Sequence, residues 1–403
     1  MKLKILRFLD IAVEYSVYGL IFFIPISIAM MGSFAGFVLT FFLLKKIISP
    51  DFSSIKDNKA LFLFLLLFFA FMDLSLLNSG PLVVKSLKVL IIKWGRFPLL
   101  LWAVVDTFRD PRRIIKALYV ILFSAALVGL SVFTQKFFGF EFLRGRGTGG
   151  FLSSITGPFK NPNALAAYLT CVIPIVLSLA LWKWKKAFIK AGLFLISAIL
   201  VIFSLWTLSR GGWLGAISGL IFIILIVNYQ RIRKVFWPLF LTSYIFFVPL
   251  IGLILFFFQN RRDSYRFVIF RGAWEMIKEH PLLGKGVGTF MDYCVLYAKT
   301  DIAYYAHNCY LQMWAESGIF SLLSFLLFVG YVFYRSIKVI LEEQRSLKQL
   351  ALIGLTSGLL GFLVHSFFEV HLYSFQLSFL FWIVLGLTVA LSAILEQVKQ
   401  AVV

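Results

Sequence analysis

The chain has 403 residues, 61% of them hydrophobic and 14% charged, with a mean hydropathy of +0.93; a water-soluble globule is excluded, because its core has no room for so much apolar surface. Lys and Arg number 39 against 18 Asp and Glu, a net charge of +21. In a soluble protein that excess would suggest nucleic acid, but here the cations gather in short connections between apolar runs, as the positive-inside rule requires of cytoplasmic loops, so no nucleic-acid partner is expected.

Runs of roughly 18 to 25 apolar residues are long enough to cross the hydrocarbon as helices, and lipid leaves backbone groups no other partner. The runs are continuous rather than alternating, which argues against a barrel. The expected fold is therefore an all-α polytopic membrane protein with about twelve transmembrane helices, at residues 11–30, 33–48, 60–77, 86–106, 114–136, 164–182, 188–207, 211–228, 235–258, 310–334, 350–369 and 374–394. The first two are joined at Met31 to Ser33, where a re-entrant hairpin is the alternative. No secretory cleavage pattern follows the first run, so it is expected to remain as an anchor. The chain divides into N-terminal helices (1–136), a core (137–258), a large loop (259–309) and C-terminal helices (310–403), with no internal repeat.

Lys2, Lys4 and Arg7 assign the N-terminus to the cytoplasm, and the pattern continues through Lys45 and Lys46, Arg109 to Lys116, Lys183 to Lys186, Arg231 to Lys234 and Arg335 to Lys348. Three segments fall on the opposite face: residues 137–163, the turn at Ser209-Arg210, and the loop 259–309. They carry Arg144, Arg146, Lys160, Arg210, Arg261, Arg262, Arg266, Arg271, Lys278 and Lys285 where topology disfavours positive charge. An anionic ligand is the simplest reason. Within the loop, Phe267, Phe270, Trp274 and Ile277 recur at helical spacing, predicting an amphipathic helix along the membrane surface over 266–279. Pro281 ends it, and Gly284, Gly286 and Gly288 make a flexible turn.

Several groups on this face are candidates for chemistry. The glycine-rich stretch from Arg144 to Gly150, with Asn163 as helix cap, is a plausible anion seat, although taken alone a flexible loop with a capping Asn explains it better. Arg210 opens a helix ahead of Gly211 and Gly212, which permit close approach; a snorkelling interfacial Arg is the alternative. His307 can accept a proton at neutral pH where the chain re-enters the membrane, and Arg266 and Arg271 precede it. Glu316 lies within a span, is costly in lipid, and is expected to face the bundle, to orient an Arg or to bind substrate. His280, His365 and His371 read as structural. Cys171, Cys294 and Cys309 show no metal-ligand spacing, so neither metal nor cofactor is expected; Cys294 and Cys309 are candidates for a disulfide.

These residues resemble the O-antigen ligase and polymerase superfamily of bacterial envelope glycan transferases. The resemblance covers about residues 140–370 and is strongest in the segment His307-Asn-Cys-Tyr-Leu-Gln-Met-Trp-Ala-Glu-Ser-Gly318, similar to that family's His-Asn…Glu-Thr-Gly signature. Arg266-Phe-Val-Ile-Phe270, the segment Glu279 to Phe290, Ser209-Arg-Gly-Gly-Trp213 and Asn161 to Tyr168 also match in order. Phe270 stands where the family tends to have Leu, and Ser321 where it has a second Gly; the branch, ligase or polymerase, stays open.

The resemblance implies a GT-C-like fold in the inner membrane with its active site facing the periplasm. It further implies a donor glycan on undecaprenyl diphosphate and a sugar hydroxyl of lipid A-core as acceptor. On that basis His307 is the expected base, and Arg210 and Arg266 the expected diphosphate clamp, since arginines can neutralise a leaving diphosphate by bidentate hydrogen bonding. Arg146, Arg271, Asn163, Asn308 and Glu316 are further substrate-binding candidates, with Asn308 positioned to orient the His. A polymerase, taking a second lipid-linked glycan as acceptor, is the nearest rival. A lipid-linked sugar transporter would instead want paired ionisable groups at mid-membrane and structural repeats; Asp73, Lys88, Lys93 and Arg96 are its best candidates.

Overall fold

Polar residues flanking the apolar runs decide where helices begin. In the computed structural model, residues 1–147, 154–229, 264–300, 304–342 and 346–400 are described. Asp110 accepts from the amide of Arg112 and precedes Pro111 at the start of a 28-residue helix. Asn161, Ser209 and Ser346 do the same for three more, accepting from Ala164, Gly212 and Gln349. Each cap satisfies an amide that has no partner inside its helix.

In chain order the helices are α1 (Lys2–Phe23), α2 (Ile28–Ile48), the short α3 (Ser53–Lys56), α4 (Lys59–Leu74), α5 (Val83–Lys88), α6 (Arg96–Thr107), α7 (Pro111–Phe138), α8 (Pro162–Ala180), α9 (Ala187–Trp206) and α10 (Arg210–Val227). They continue with α11 (Ser264–Glu279), α12 (Phe290–Ala298), α13 (Cys309–Glu342), α14 (Leu347–His365) and α15 (Phe375–Gln400). Among the described residues the strands are β1 (Phe140–Glu141) and β2 (Arg146–Gly147), paired antiparallel. The chain is thus an all-α polytopic membrane protein, with nine helices among the described residues long and apolar enough to cross a membrane.

Nine of the expected spans coincide with these helices; the first and fourth do not. The first helix starts at Lys2 rather than residue 11, and it carries Asp10 and Glu14, which Lys45 and Arg113 neutralise. The turn after it lies at 24–27 and not at Met31 to Ser33, because Ser27 caps α2. The fourth is broken into α5, a π-helical turn (Val89–Trp94) and α6. The ninth, 235–258, lies outside the described residues, as do Arg261 and Arg262.

Helices α8, α14 and α15 are buried along most of their length, whereas α2 and α9 are mostly exposed. Between α8, α10 and α14 the contact surface is built of small residues. A Cβ on Gly215 would sit 2.5 Å from the carbonyl oxygen of Gly361, one on Gly361 2.7 Å from that of Gly215, and one on Gly358 2.3 Å from that of Cys171. In lipid, helices gain little from hydrophobic exclusion and associate through such close backbone approach. The result places the first residues of α8 and α10 beside the last turn of α14.

The bundle has two charged ends. At one, Asp106 receives Lys46 and Arg109 at 2.9 Å and Lys45 at 3.1 Å, while Arg113 reaches Asp10 at 2.7 Å. Arg335 and Glu396 pair at the same end, where Arg335 also touches Asn58. The other end holds the glycine turn after α11, the start of α13 and the turn between α14 and α15.

Candidate active site

The glycines after Pro281 are required by an interlock with α13. Gly318 breaks that helix with φ +79°, and a Cβ there would meet the carbonyl oxygen of Leu282 at 2.0 Å. Gly284, at φ +70°, would meet the carbonyl of Glu316 at 2.4 Å; neither position admits a side chain. Across this contact the amides of Lys285, Gly286 and Ile319 donate to the carbonyls of Ala315, Glu316 and Pro281. The carboxylate of Glu316 is buried and accepts from the amides of Gly288 and Phe290 and from the Gln312 side chain. Glu316 therefore holds the glycine turn in place, and both of its oxygens are occupied.

Helix α11 packs on α12 and α13 through Ile269, Ala273, Met276 and Ile277, with Phe267 and Trp274 exposed. The buried stripe is thus offset from the expected one, in which Phe267 and Trp274 were to share a face with Ile277. A helix packed against protein on one side presents a different arc than one lying on lipid alone. Cys294 and Cys309 are both buried and free, so the candidate disulfide is absent. Cys294 faces the carbonyl of Ile269, and burial pushes its thiol up to about 11.

His307 precedes α13 with a left-handed backbone, φ +49°, unusual outside glycine. Its flanks are fastened: the amide of Ala306 donates to Gln312, that of Cys309 to the carbonyl of Ser366, and the Tyr310 hydroxyl to the carbonyl of Leu363. Asn308 caps α13, accepting from the amides of Tyr310 and Leu311; its oxygen serves the helix and not the imidazole. These bonds tie the re-entry point of α13 to the turn that follows α14.

In that turn stands Glu369, which sequence reasoning missed. Its Oε2 lies 3.1 Å from His307 Nδ1, and its Oε1 accepts from Asn163 Nδ2 at 2.5 Å and lies 3.7 Å from Arg266 Nη2. One carboxylate thereby joins the start of α8, helix α11 and the start of α13. Burial by itself would raise Glu369; the hydrogen bond and proximity of His307, with the charge of Arg266, outweigh it and hold the carboxyl below its ordinary 4.5. An ionised carboxylate only accepts, so Nδ1 of His307 carries the proton it donates, and in a neutral imidazole the lone pair is then on Nε2. The imidazole is about a quarter exposed, so that lone pair is not sealed in. The signal for Glu369 was available: an acid in an otherwise apolar turn, on the face carrying unexplained cations.

The remaining candidates are distributed around this centre. Asn163 is not the cap of α8, which is Asn161, and this frees its side chain for Glu369. Arg210 is exposed at the first position of α10; a Cβ on its neighbour Gly211 would lie 2.6 Å from Phe368 Cβ, next to Glu369 in sequence. Arg271 is exposed on α11. Arg146 lies in β2, opposite Glu141. Beneath the turn, His365 Nε2 is 3.3 Å from the Ser209 hydroxyl, and its ring stands 4.2 Å from that of His371. Burial drives His371 down to about 4, against the pull of Glu369, so it is neutral at neutral pH.

Comparison with known proteins finds relatives of part of the chain. Residues 195–326 match the family model described as O-Antigen ligase. That window contains Arg210, Arg266, Arg271, His307, Asn308 and Glu316, while Asn163 and Glu369 lie outside it. An O-antigen ligase of Salmonella typhimurium is 30% identical over 181 residues, covering 38% of this chain and 42% of that protein. The teichuronic acid biosynthesis protein TuaE of Bacillus subtilis is 26% identical over 274 residues, covering 61% of this chain and 53% of that protein. The chain thus spans about half the length of the curated relatives it matches.

Proposed function

Because the chain carries an O-antigen ligase family domain at residues 195–326, we propose that it is a glycosyltransferase moving a glycan from undecaprenyl diphosphate to a sugar hydroxyl of lipid A-core. It acts in the bacterial inner membrane, at the periplasmic face. The observation that carries the reading is the convergence of His307, Arg266 and Asn163 on Glu369, with the start of α10, and so Arg210, beside the same turn.

The chemistry follows from those positions. Nε2 of His307 takes the proton of the acceptor hydroxyl as its oxygen attacks the anomeric carbon. The bond from that carbon to the diphosphate oxygen breaks, and the diphosphate leaves with the electron pair. Arg210 and Arg266 neutralise it by bidentate hydrogen bonding, taking the part a divalent cation plays elsewhere, so the reaction is metal-independent. A single displacement inverts the anomeric centre. Glu369 positions His307 in the tautomer that leaves Nε2 free and steadies the imidazolium once it forms. Arg266 has donors left for substrate, since a guanidinium offers five and Glu369 faces one end. Arg271, Arg146 and Asn163 extend the donor-binding surface.

A second reading is favoured by the longer match to a relative named for teichuronic acid rather than O-antigen. In it the same donor is joined to a second lipid-linked glycan, making the protein a polymerase. Purified protein incubated with a synthetic lipid-diphosphate glycan and each acceptor, with and without chelator, separates the two by product mass. Polymer joined to lipid A-core supports the ligase, and extended lipid-linked chains without core support the polymerase. No covalent product from either acceptor would remove both.

A further inference from the structure

Lys93 and Arg96 sit at the same end of the bundle and take no part in the site above. We propose that they form a second anion-binding subsite, which takes a phosphate ester of a membrane lipid. The inference rests on the glycan-transfer reading only for which lipid this is: the acceptor, or the donor through its diphosphate.

Three observations carry it. The first is the π-helical turn that holds them: the amide of Gly95 donates to the carbonyl of Leu90 at 2.7 Å, one residue beyond helical register. Such turns forfeit regular packing and are frequent where a helix serves a site. Here the turn puts the carbonyl of Lys93 in reach of Arg96 Nε, which donates to it at 3.0 Å.

The second is that neither cation is neutralised by contact. Among the described residues no carboxylate lies within ion-pair distance of either. The Lys93 ammonium stands 5.7 Å from the centre of the Tyr373 ring. It feels the charge of Glu316, but both oxygens of that carboxylate are engaged by Gly288, Phe290 and Gln312. Arg96 is flanked by Phe375 at 5.0 Å, Phe379 at 5.5 Å and Phe97 at 5.8 Å. Ring faces attract cations only weakly compared with a full counter-charge. At the opposite end Lys45, Lys46, Arg113 and Arg335, which are also drawn into the bundle, each have a carboxylate within 3.1 Å. Two adjacent cations at a membrane mouth without one are completed by an anion that comes and goes.

The third is placement. Tyr373 follows Glu369 in the same turn and Phe375 opens α15 directly after it, so the pair flanks the centre already described. An arginine fork beside a lysine point charge suits a tetrahedral phosphate with several charged oxygens. The aromatic walls, with Phe375 and the preceding Ile91 and Ile92 exposed, suit the lipid attached to it. Transfer between two membrane-anchored substrates needs both held in register, and Arg210 with Arg266 serves one headgroup.

The test is a binding measurement on the full chain in micelles, with two probes: undecaprenyl diphosphate lacking any glycan, and bis-phosphorylated lipid A. Lys93→Gln combined with Arg96→Gln should weaken one probe by about tenfold or more, while Lys93→Arg with Arg96 kept, which retains both charges and the arginine fork, should stay within about threefold. Weakened lipid A binding identifies the acceptor's phosphate, and weakened undecaprenyl diphosphate binding identifies the donor's. Unchanged affinity for both probes in the folded neutral variant overturns the inference. So does equal loss in the charge-retaining variant. Should the double neutral variant fail to fold, Lys93→Gln alone carries the same comparison. Arg266→Gln runs in parallel: if it loses diphosphate binding while the neutral pair changes nothing, the subsite fails and the transfer site stands. A subsite that binds in a protein forming no glycosidic product would sink the transfer reading instead.

Discussion

At one end of the bundle Asp106 gathers Lys45, Lys46 and Arg109, and Asp10 and Glu14 share Arg113; at the other, Glu369 is the one carboxylate within reach of Arg266 and His307 among the described residues. Both clusters are rich in charge, yet only the one around Asp106 and Asp10 is balanced by its own residues. A cavity of about 420 Å³ there is lined by both signs in near equality, with Asp10, Asp51, Asp106 and Asp110 facing Lys45, Arg109 and Arg113. Around Glu369, by contrast, Arg210 and Arg271 are exposed, and among the described residues Lys93 and Arg96 have no carboxylate in contact. A closed network staples helices together, whereas an open excess of cations awaits a substrate's charge. The comparison predicts that changes at the first end cost stability and changes at the second cost turnover.

The largest effect should come from breaking the balanced end. Asp106→Ala strands Lys46, which is 7% exposed, and is expected to cost about 3–5 kcal/mol of stability in denaturant unfolding in micelles, with turnover per folded molecule unchanged. A variant as stable as the parent would show that the network is not a staple. Next, Arg266→Ala should leave stability nearly intact and slow glycan transfer about 10²- to 10³-fold, comparable to removing one preorganised donor. Initial rates of product formation decide it, and Arg266→Lys should recover little because the fork is lost.

A third change bears on how the active end is assembled. Gly215→Ala forces a Cβ to 2.5 Å from the Gly361 carbonyl, so α10 must shift from α14, at about 1–3 kcal/mol. Transfer should fall with it, because Arg210 rides on α10; a rate that holds while stability drops would detach Arg210 from the site. The smallest effect at neutral pH belongs to His371→Gln. His371 is held down to about 4 from an ordinary 6.5, so its folded form resists the charge that the unfolded chain accepts. Stability is complete above pH 6.5 and is lost as pH falls towards about 4. Melting curves of the variant should lack that share of the acid-side loss.

Much of the fold was legible because hydropathy sums are insensitive to detail: nine spans needed only apolar runs of sufficient length. The first and fourth were misplaced for reasons such sums cannot register. Asp10 and Glu14 are tolerated inside α1 only because Arg113 and Lys45 arrive from other helices, and the π-helical turn before Gly95 alters register without altering composition. The site was half legible. His307, Arg266 and Arg210 stood out as charges on the wrong face, but their meeting point did not, since Glu369 follows His307 by a whole antiparallel pair of spans. Asn163 was attributed to a cap that Asn161 makes, a shift of two residues that decides whether its amide is free. Glu316 attracted attention as a buried acid, and besides the Gln312 side chain its partners are the backbone amides of Gly288 and Phe290, which no pattern of side chains reveals.

The most direct measurement is a cycle of transfer rates for His307→Ala, Glu369→Gln and the two combined. If Glu369 acts by orienting the imidazole, each single variant slows transfer, and the combined variant is no slower than His307→Ala alone. Losses that multiply would mean that Glu369 and His307 act separately, and the convergence on one carboxylate would not be the basis of the reaction.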